Sequence, residues 1–221
     1  MRTSIEIYEK YRIPFIIRMH QLRVAAVGKI LAEKTPGADV RQVILTGLFH
    51  DMGNILKMDL FPDGILVPLI APDTVAALQR AKEDFRAKYG VDEHAASLAI
   101  GREIGLPETV LDMIDNMRFL RTEWIRDAAP IEMKIAKYAD LRVSPFGVVS
   151  MRDRFEEANK RYRGKAFDAG ETYDADVLKR IDAACADVEL VVTGSAGINP
   201  QMVNDEVVGP IIEELKKYAV S

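Results

Sequence analysis

The chain has 221 residues, 48% of them hydrophobic, which bounds it to one large domain or two small ones with a substantial core. A formal net charge of -4 gives no general drive toward nucleic acid and disfavours it as a partner. The lone Cys185 cannot close an internal disulfide, Met1 to Lys10 is charged throughout, and no apolar run approaches the ~20 residues of a membrane span, so a cytoplasmic protein without a membrane partner is expected.

The pattern is helical nearly everywhere. Pro14 opens a helix that turns Ile16, Ile17, Val24, Val27 and Leu31 inward, and His20 shares that face, four residues after Ile16 and four before Val24. A second helix starts at Asp39, a good N-cap, and runs through Val43, Ile44, Leu45, Leu48 and Phe49 to His50-Asp51. Met52 to Pro72 reads as an irregular loop broken by Gly53, Pro62, Gly64, Pro68 and Pro72, with Ile65-Leu66-Val67 the only strand candidate. Asp73 caps a helix that stops at Tyr89-Gly90, and Asp92 caps the next, with His94 in its first turn. Pro107 opens another (Val110, Leu111, Ile114), and Pro130 opens the helix that bears Asp140. There Met133 and Ala136 precede Asp140 by seven and four residues, so the carboxylate shares a face with apolar or small side chains.

A charged helix spans Asp153 to Arg163 and ends at Gly164; its Arg152, Arg154, Lys160, Arg161, Arg163 and Lys165 alternate with Asp153, Glu156 and Glu157, as on a solvated face. Asp176 to Val192 is amphipathic through Val177, Ile181, Ala184, Val188 and Val191, which also makes Cys185 a buried small side chain. Gly194-Ser195-Ala196-Gly197 reads as a turn, and the tail after it as helix in two pieces broken at Pro210. The fold class is all-α: a multi-helix core over 1–164 and a helical C-terminal extension over 165–221 packed on it.

Of only three histidines, two fall near carboxylates that can join them around one ion. His20, His50, Asp51 and Asp140 together offer two imidazoles and two carboxylates, a full ligand set for a divalent metal. Singly each has a plainer reading: a hydrogen-bonded core histidine, a helix-end charge interaction, an ion pair of Asp140 with Arg142 or Lys137. Taken together, His20, then His50-Asp51-Met52-Gly53-Asn54, then Tyr138-Ala139-Asp140 resemble the H…HD…D pattern of the HD-domain metal-dependent phosphohydrolases, over roughly Pro14 to Tyr162. The resemblance implies one divalent ion on His20, His50, Asp51 and Asp140, and cleavage of a phosphate ester of a small metabolite, foremost a nucleotide. Water bound to that ion is the implied nucleophile. Mn, Co, Fe, Ni or Mg are all candidates, and two imidazoles favour a transition metal over magnesium.

The chain departs from its relatives in places. Members with two metals carry two further histidines before the last aspartate. His94 stands near the first of these, but Ile114-Asp115-Asn116-Met117 offers none at the second, so a single ion is expected. Asn54 takes a position where some related enzymes place a lysine or glutamate; it can hydrogen-bond but not move a proton, so either metal-bound hydroxide suffices or another group such as Lys57, Asp115 or His94 handles the proton. Asp51, Asp140 and Asn54 are thus the catalytic candidates, and Arg23, Lys57, His94 and Arg142 the substrate-binding ones, the arginines as phosphate grips.

No Walker-type loop, CxxC pair or Gly-x-Ser-x-Gly elbow occurs, and Trp124 reads as packing before it reads as the wall of a base pocket. The rival to an enzyme is a metal- or nucleotide-binding regulatory protein of the same fold with weak or no turnover. A homo-oligomer is compatible with the sequence.

Overall fold

The computed structural model describes residues 2–58, 72–162 and 175–220. A short strand β1 (Arg2–Thr3) leads into α1 (Ser4–Lys10), where Thr3 and Glu6 form a reciprocal capping box. The helices that matter most follow: α2 (Phe15–Lys34) and α3 (Val40–Phe49), the latter capped by Asp39 accepting from the Gln42 N–H. A 3-10 turn (Asn54–Leu56), α4 (Pro72–Tyr89), α5 (Glu93–Glu103) and α6 (Glu108–Asn116) come next. Asp92 caps α5 by accepting from the N–H groups of His94 and Ala95. After a second 3-10 turn (Phe119–Arg121) come α7 (Thr122–Ala128) and α8 (Ile131–Leu141). Strands β2 (Val143–Ser144) and β3 (Gly147–Val148) make a tight hairpin before α9 (Met151–Tyr162). The chain ends with α10 (Ala175–Ala196), a 3-10 turn (Pro200–Met202), α11 (Asp205–Leu215) and β4 (Ala219–Val220).

Small residues set the distances between the helices that matter. A Cβ on Gly47 of α3 would lie 2.6 Å from the Ala25 Cα of α2, and one on Gly28 would lie 2.8 Å from Val43 and 3.8 Å from Ala139 of α8. Only hydrogen at Gly47 and Gly28 permits that approach, so α3 and α8 both lie directly on α2. Val27, Leu48, Phe49 and Ile135 fill the space among them and are fully buried. Each side chain of this size contributes about 1.5–3 kcal/mol by leaving water.

The C-terminal elements share this core. Val188, Val192, Val208 and Leu215 belong to the same apolar cluster as α2 and α8, and β4 pairs antiparallel with β1, Arg2 opposite Val220. The expected division near Gly164, the helix stop there and the strand candidate Ile65-Leu66-Val67 all lie outside the described residues. Among those described, the only strands are the two two-residue ladders, in keeping with an all-α fold.

Three local expectations are corrected. Helix α4 begins at Pro72, so Asp73 lies within its first turn and does not cap it. Helix α10 continues through Gly194 to Ala196 and ends at Gly197, whose φ of 62° lets Ile198 N–H bond back to Thr193 O at 3.1 Å. One exposed interior glycine costs about 1 kcal/mol, too little to stop a helix anchored by buried Val192 and Ala196 on either side of it. Pro210 does not break α11 either. It sits on the exposed face, where the one carbonyl left without a partner is open to water; the tail's two pieces separate instead before Asn204, which caps α11.

Candidate metal centre

His20 projects from the second turn of α2, and Asp140 from the last turn of α8. His50 is the C-cap of α3 and Asp51 the residue after it, so both carry the directions fixed by the close seat of Gly47 on Ala25. Two contacts lock the turn that follows. The fully buried Gln21 accepts a hydrogen bond from Asp51 N–H at 3.1 Å, and Gly53 N–H donates to Ser97 Oγ at 2.9 Å. A Cβ on Gly53 would stand 2.1 Å from the Glu93 carbonyl oxygen, so this position tolerates no side chain while α5 presses against it. Gln21 went unnoticed in the sequence; a polar side chain beside His20 on an apolar face was the available signal.

The four side chains converge. His20 Nε2 lies 3.2 Å from Asp140 Oδ1 and 3.5 Å from Asp51 Oδ2, and His50 Nε2 lies 3.7 and 3.6 Å from Asp140 Oδ1 and Asp51 Oδ1. The two imidazole centroids are 5.5 Å apart. Ligand atoms of His20, His50 and Asp140 all fall within 4.8 Å of one another, with Asp51 at their edge. Neighbouring donors around an ion with bonds of about 2.0–2.2 Å are separated by roughly 3 Å, so a modest inward shift of these atoms meets one cation.

His50 carries the sharpest sign of a missing partner. Its Nδ1 is 3.0 Å from the Gly47 carbonyl, which can only accept, so that nitrogen bears the hydrogen and the neutral ring offers a lone pair at Nε2. Nε2 is buried and makes no hydrogen bond. Burial by itself pushes the His50 imidazole down, but the carboxylates of Asp51 and Asp140 overcome that and hold it up at about 9. Burial likewise disfavours the charged Asp140, yet the two imidazoles hold its carboxyl well below the usual range. A divalent cation satisfies all of these groups at once, and the donor set fits it. The plain ion pairs fail: Lys137 donates to Met117 O at 2.9 Å, and Arg142 turns away from Asp140.

Arg142 is a correction. It is 4% exposed, and its guanidinium donates to the Tyr138 hydroxyl, to the Val149 carbonyl and to the carbonyls of Pro200 and Val203. Those bonds commit it to the fold and withdraw it from gripping phosphate. Arg23, one turn beyond His20, touches Asp205 Oδ1 through Nε at 3.4 Å. Lys57 pairs with Glu93 at 2.5 Å, and His94 Nε2 pairs with Asp115 Oδ1 at 3.0 Å. Neither His94 nor Asp115 belongs to the metal-ligand cluster, and Met117, at the second histidine position of dinuclear relatives, is buried. Asn54 opens the 3-10 turn after Asp51, its side-chain amide making no hydrogen bond among the described residues. Cys185 is buried, its thiol pushed up to about 11 by that burial. Trp124 stands half-exposed on α7, between Glu123 and Arg126, which pair with Arg180 and Asp187 of α10. Arg152 of α9 pairs with Glu156 on a solvated face, whereas Arg154 and Glu157, 17% and 20% exposed, pair on the side turned from solvent, which corrects that reading for half of the helix.

A family model described as HD domain matches residues 17–142, from the first turn of α2 to the end of α8, and so spans all four converging side chains. No curated protein and no solved structure matches the chain.

Proposed function

The chain belongs to the HD domain family, and on that premise we propose that it is a metal-dependent phosphohydrolase cleaving a phosphate ester of a small metabolite, with a nucleotide as the favoured substrate. The observation that carries the reading is the buried, unpartnered Nε2 of His50, aimed at Asp51 and Asp140 beside His20. A divalent ion there supplies Lewis acidity to a phosphoryl oxygen and makes water a stronger nucleophile. His20, His50, Asp51 and Asp140 hold it. The side chains of Asp51 and Asp140 are about one quarter exposed, which leaves the centre open to substrate on one side.

Water is the attacking group because, among the described residues, no nucleophilic side chain is placed to compete. Ser97, the hydroxyl bonded to the turn after Asp51, donates to Glu93 O and accepts from Gly53 N–H. Asn54 can hold a phosphate oxygen or a water by its free amide but cannot carry a proton. His94, oriented by Asp115, is the group we assign to protonate the leaving oxygen, with Lys57 tied to Glu93 beside it. No helix among the described residues is long and apolar enough to cross a membrane, and we place the protein in the cytoplasm on the strength of its single buried cysteine.

Elemental analysis of protein purified without added metal, followed by phosphate release from nucleoside mono-, di- and triphosphates with Mn, Co, Ni, Mg or Fe(II), tests the proposal. We expect about one ion per chain and turnover of at least one ester. Protein that holds its ion and releases phosphate from none of them favours the second reading, a regulatory binder, for which Asn54 in place of a proton-carrying group is the supporting observation.

A further inference from the structure

One exposed aromatic stands on the hairpin that follows the helix of Asp140 and packs on the helix of His20. Phe146 is 59% exposed at the tip of the β2–β3 hairpin, while Val143 and Ser144 at its base are buried. The tip is fastened at several points. Phe146 N–H donates to Ser144 Oγ at 3.1 Å, Ser144 Oγ donates to Gly147 O at 3.2 Å, and Val148 N–H donates to Asp205 Oδ2 at 3.1 Å. Gly147 has a φ of 153°, and a Cβ there would lie 2.3 Å from Asp205 Oδ2, so glycine alone lets the carboxylate reach the hairpin. A phenyl ring left in water contributes nothing to the core.

The same Asp205 carboxylate holds Arg23. Its Oδ1 is 3.4 Å from Arg23 Nε, which is buried without a hydrogen bond, and the two terminal guanidinium nitrogens make no hydrogen bond among the described residues. Arg23 follows His20 by three residues and so shares its side of α2, and the hairpin packs on that helix. Asp205 thus pairs with a partly exposed guanidinium on the helix of His20 and, from the same carboxylate, bonds the hairpin that carries Phe146. A guanidinium fork matches anionic oxygens, and a phenyl face matches a flat ring.

We infer that Arg23 and Phe146 form a recognition subsite for a phosphorylated ligand that bears a planar ring, Arg23 gripping an anionic oxygen and Phe146 stacking on the ring. The inference rests on the hydrolase reading only for the phosphate's place at the metal centre. Its test therefore measures binding of non-hydrolysable ligands.

The experiment is calorimetric titration of the metal-loaded protein with two phosphonates in which a methylene replaces the ester oxygen, one the analogue of AMP and one of ribose 5-phosphate. The wild-type chain should bind the AMP analogue about tenfold more tightly or better, the contribution expected of one base stacked on an aromatic ring. Phe146→Ala should erase that preference without weakening the sugar phosphonate, and Phe146→Tyr should keep it. Arg23→Gln should weaken both ligands alike. Equal affinity of the wild type for the two phosphonates, or a preference that survives Phe146→Ala, overturns the subsite. Unchanged affinities in Arg23→Gln remove Arg23 from it. A preference that depends on Phe146, with no ester hydrolysed, overturns the hydrolase reading and leaves the subsite standing.

Discussion

Helix α8 ends in two buried polar regions two residues apart, and they are built in opposite ways. Around Arg142 every partner is supplied by the protein: a hydroxyl at 2.9 Å and carbonyls at 3.0 and 3.1 Å among them. Around Asp140 the partners converge and stop short, with His50 Nε2 buried, unbonded and 3.7 Å from the carboxylate. A polar network that closes on itself ties segments together, here α8 to the stretch ahead of α11. A network left open among helices that are rigidly packed leaves buried groups unsatisfied, a cost that persists only where something else completes it. Both sites carry charge; only the second, open to solvent on one side, calls for a ligand.

The largest effect should come from the open region. Asp140→Asn keeps the shape and removes a negative ligand, so phosphate release should fall by roughly a thousandfold or more, with metal content reduced and the fold intact. His50→Ala and Asp51→Ala should strip the ion outright. Elemental analysis and thermal melts of the three variants check this, and full metal occupancy in both alanine variants would sink the metal centre. The closed region should respond the other way. Arg142→Ala takes the donor from four acceptors, the Tyr138 hydroxyl and the carbonyls of Val149, Pro200 and Val203, a loss of about 3 kcal/mol, which lowers the melting temperature of a chain this size by roughly 6–12 °C. A variant that melts like the wild type would show that Arg142 is no structural tie.

A smaller effect is carried by protons. Without metal, His50 is held protonated up to about 9, against 6.5 for the free imidazole. Its contribution to the stability of the metal-free fold is whole below 6.5 and is lost as pH rises through about 9. Asp140 runs the other way, its carboxyl held low, so its contribution is present above 3.8 and lost as pH falls through its lowered value. Metal uptake needs the His50 lone pair and must expel that proton. Apparent affinity should therefore rise with pH, by about tenfold per unit, until it levels near the His50 value. Proton release during metal titration in weak buffer measures it directly; uptake without release would remove His50 from the ligand set.

The sequence carried the candidate ligands further than it carried their surroundings. His20 and Asp140 could be placed because each repeats a helical period with its apolar neighbours, and α3 could be run to His50 from its Asp39 cap. Gln21 could not, because its partner is the backbone of Asp51, thirty positions away in the chain. Arg142 misled for a related reason. Its position two residues after a candidate ligand aspartate suggested phosphate, while two of its four partners, Pro200 and Val203, lie in a segment whose return to α8 no local pattern records. Pro210 and Gly194 show the same limit at smaller scale: each weakens a helix locally, and packing elsewhere decides that it continues.

Asn54 offers the finest test of the open region. Its backbone is fixed, the N–H donating to Asp51 O at 3.1 Å, so the side chain is presented from a turn next to Asp51. Its amide has no partner among the described residues, the same incompleteness that marks His50. Unlike His50 it is half-buried, and water can serve it when no substrate is bound. Removing it should then cost one hydrogen bond to phosphate or water and nothing else. Asn54→Ala should lower kcat/KM by about tenfold or less, with metal content and melting temperature unchanged. If the amide holds a phosphate oxygen equally in ground and transition states, the loss falls on KM; if it orients the attacking water, it falls on kcat. Steady-state kinetics on the best substrate of the panel separates the two. A loss of a thousandfold would instead place Asn54 among the groups on which the reaction depends, and no loss at all would leave its open amide without a role.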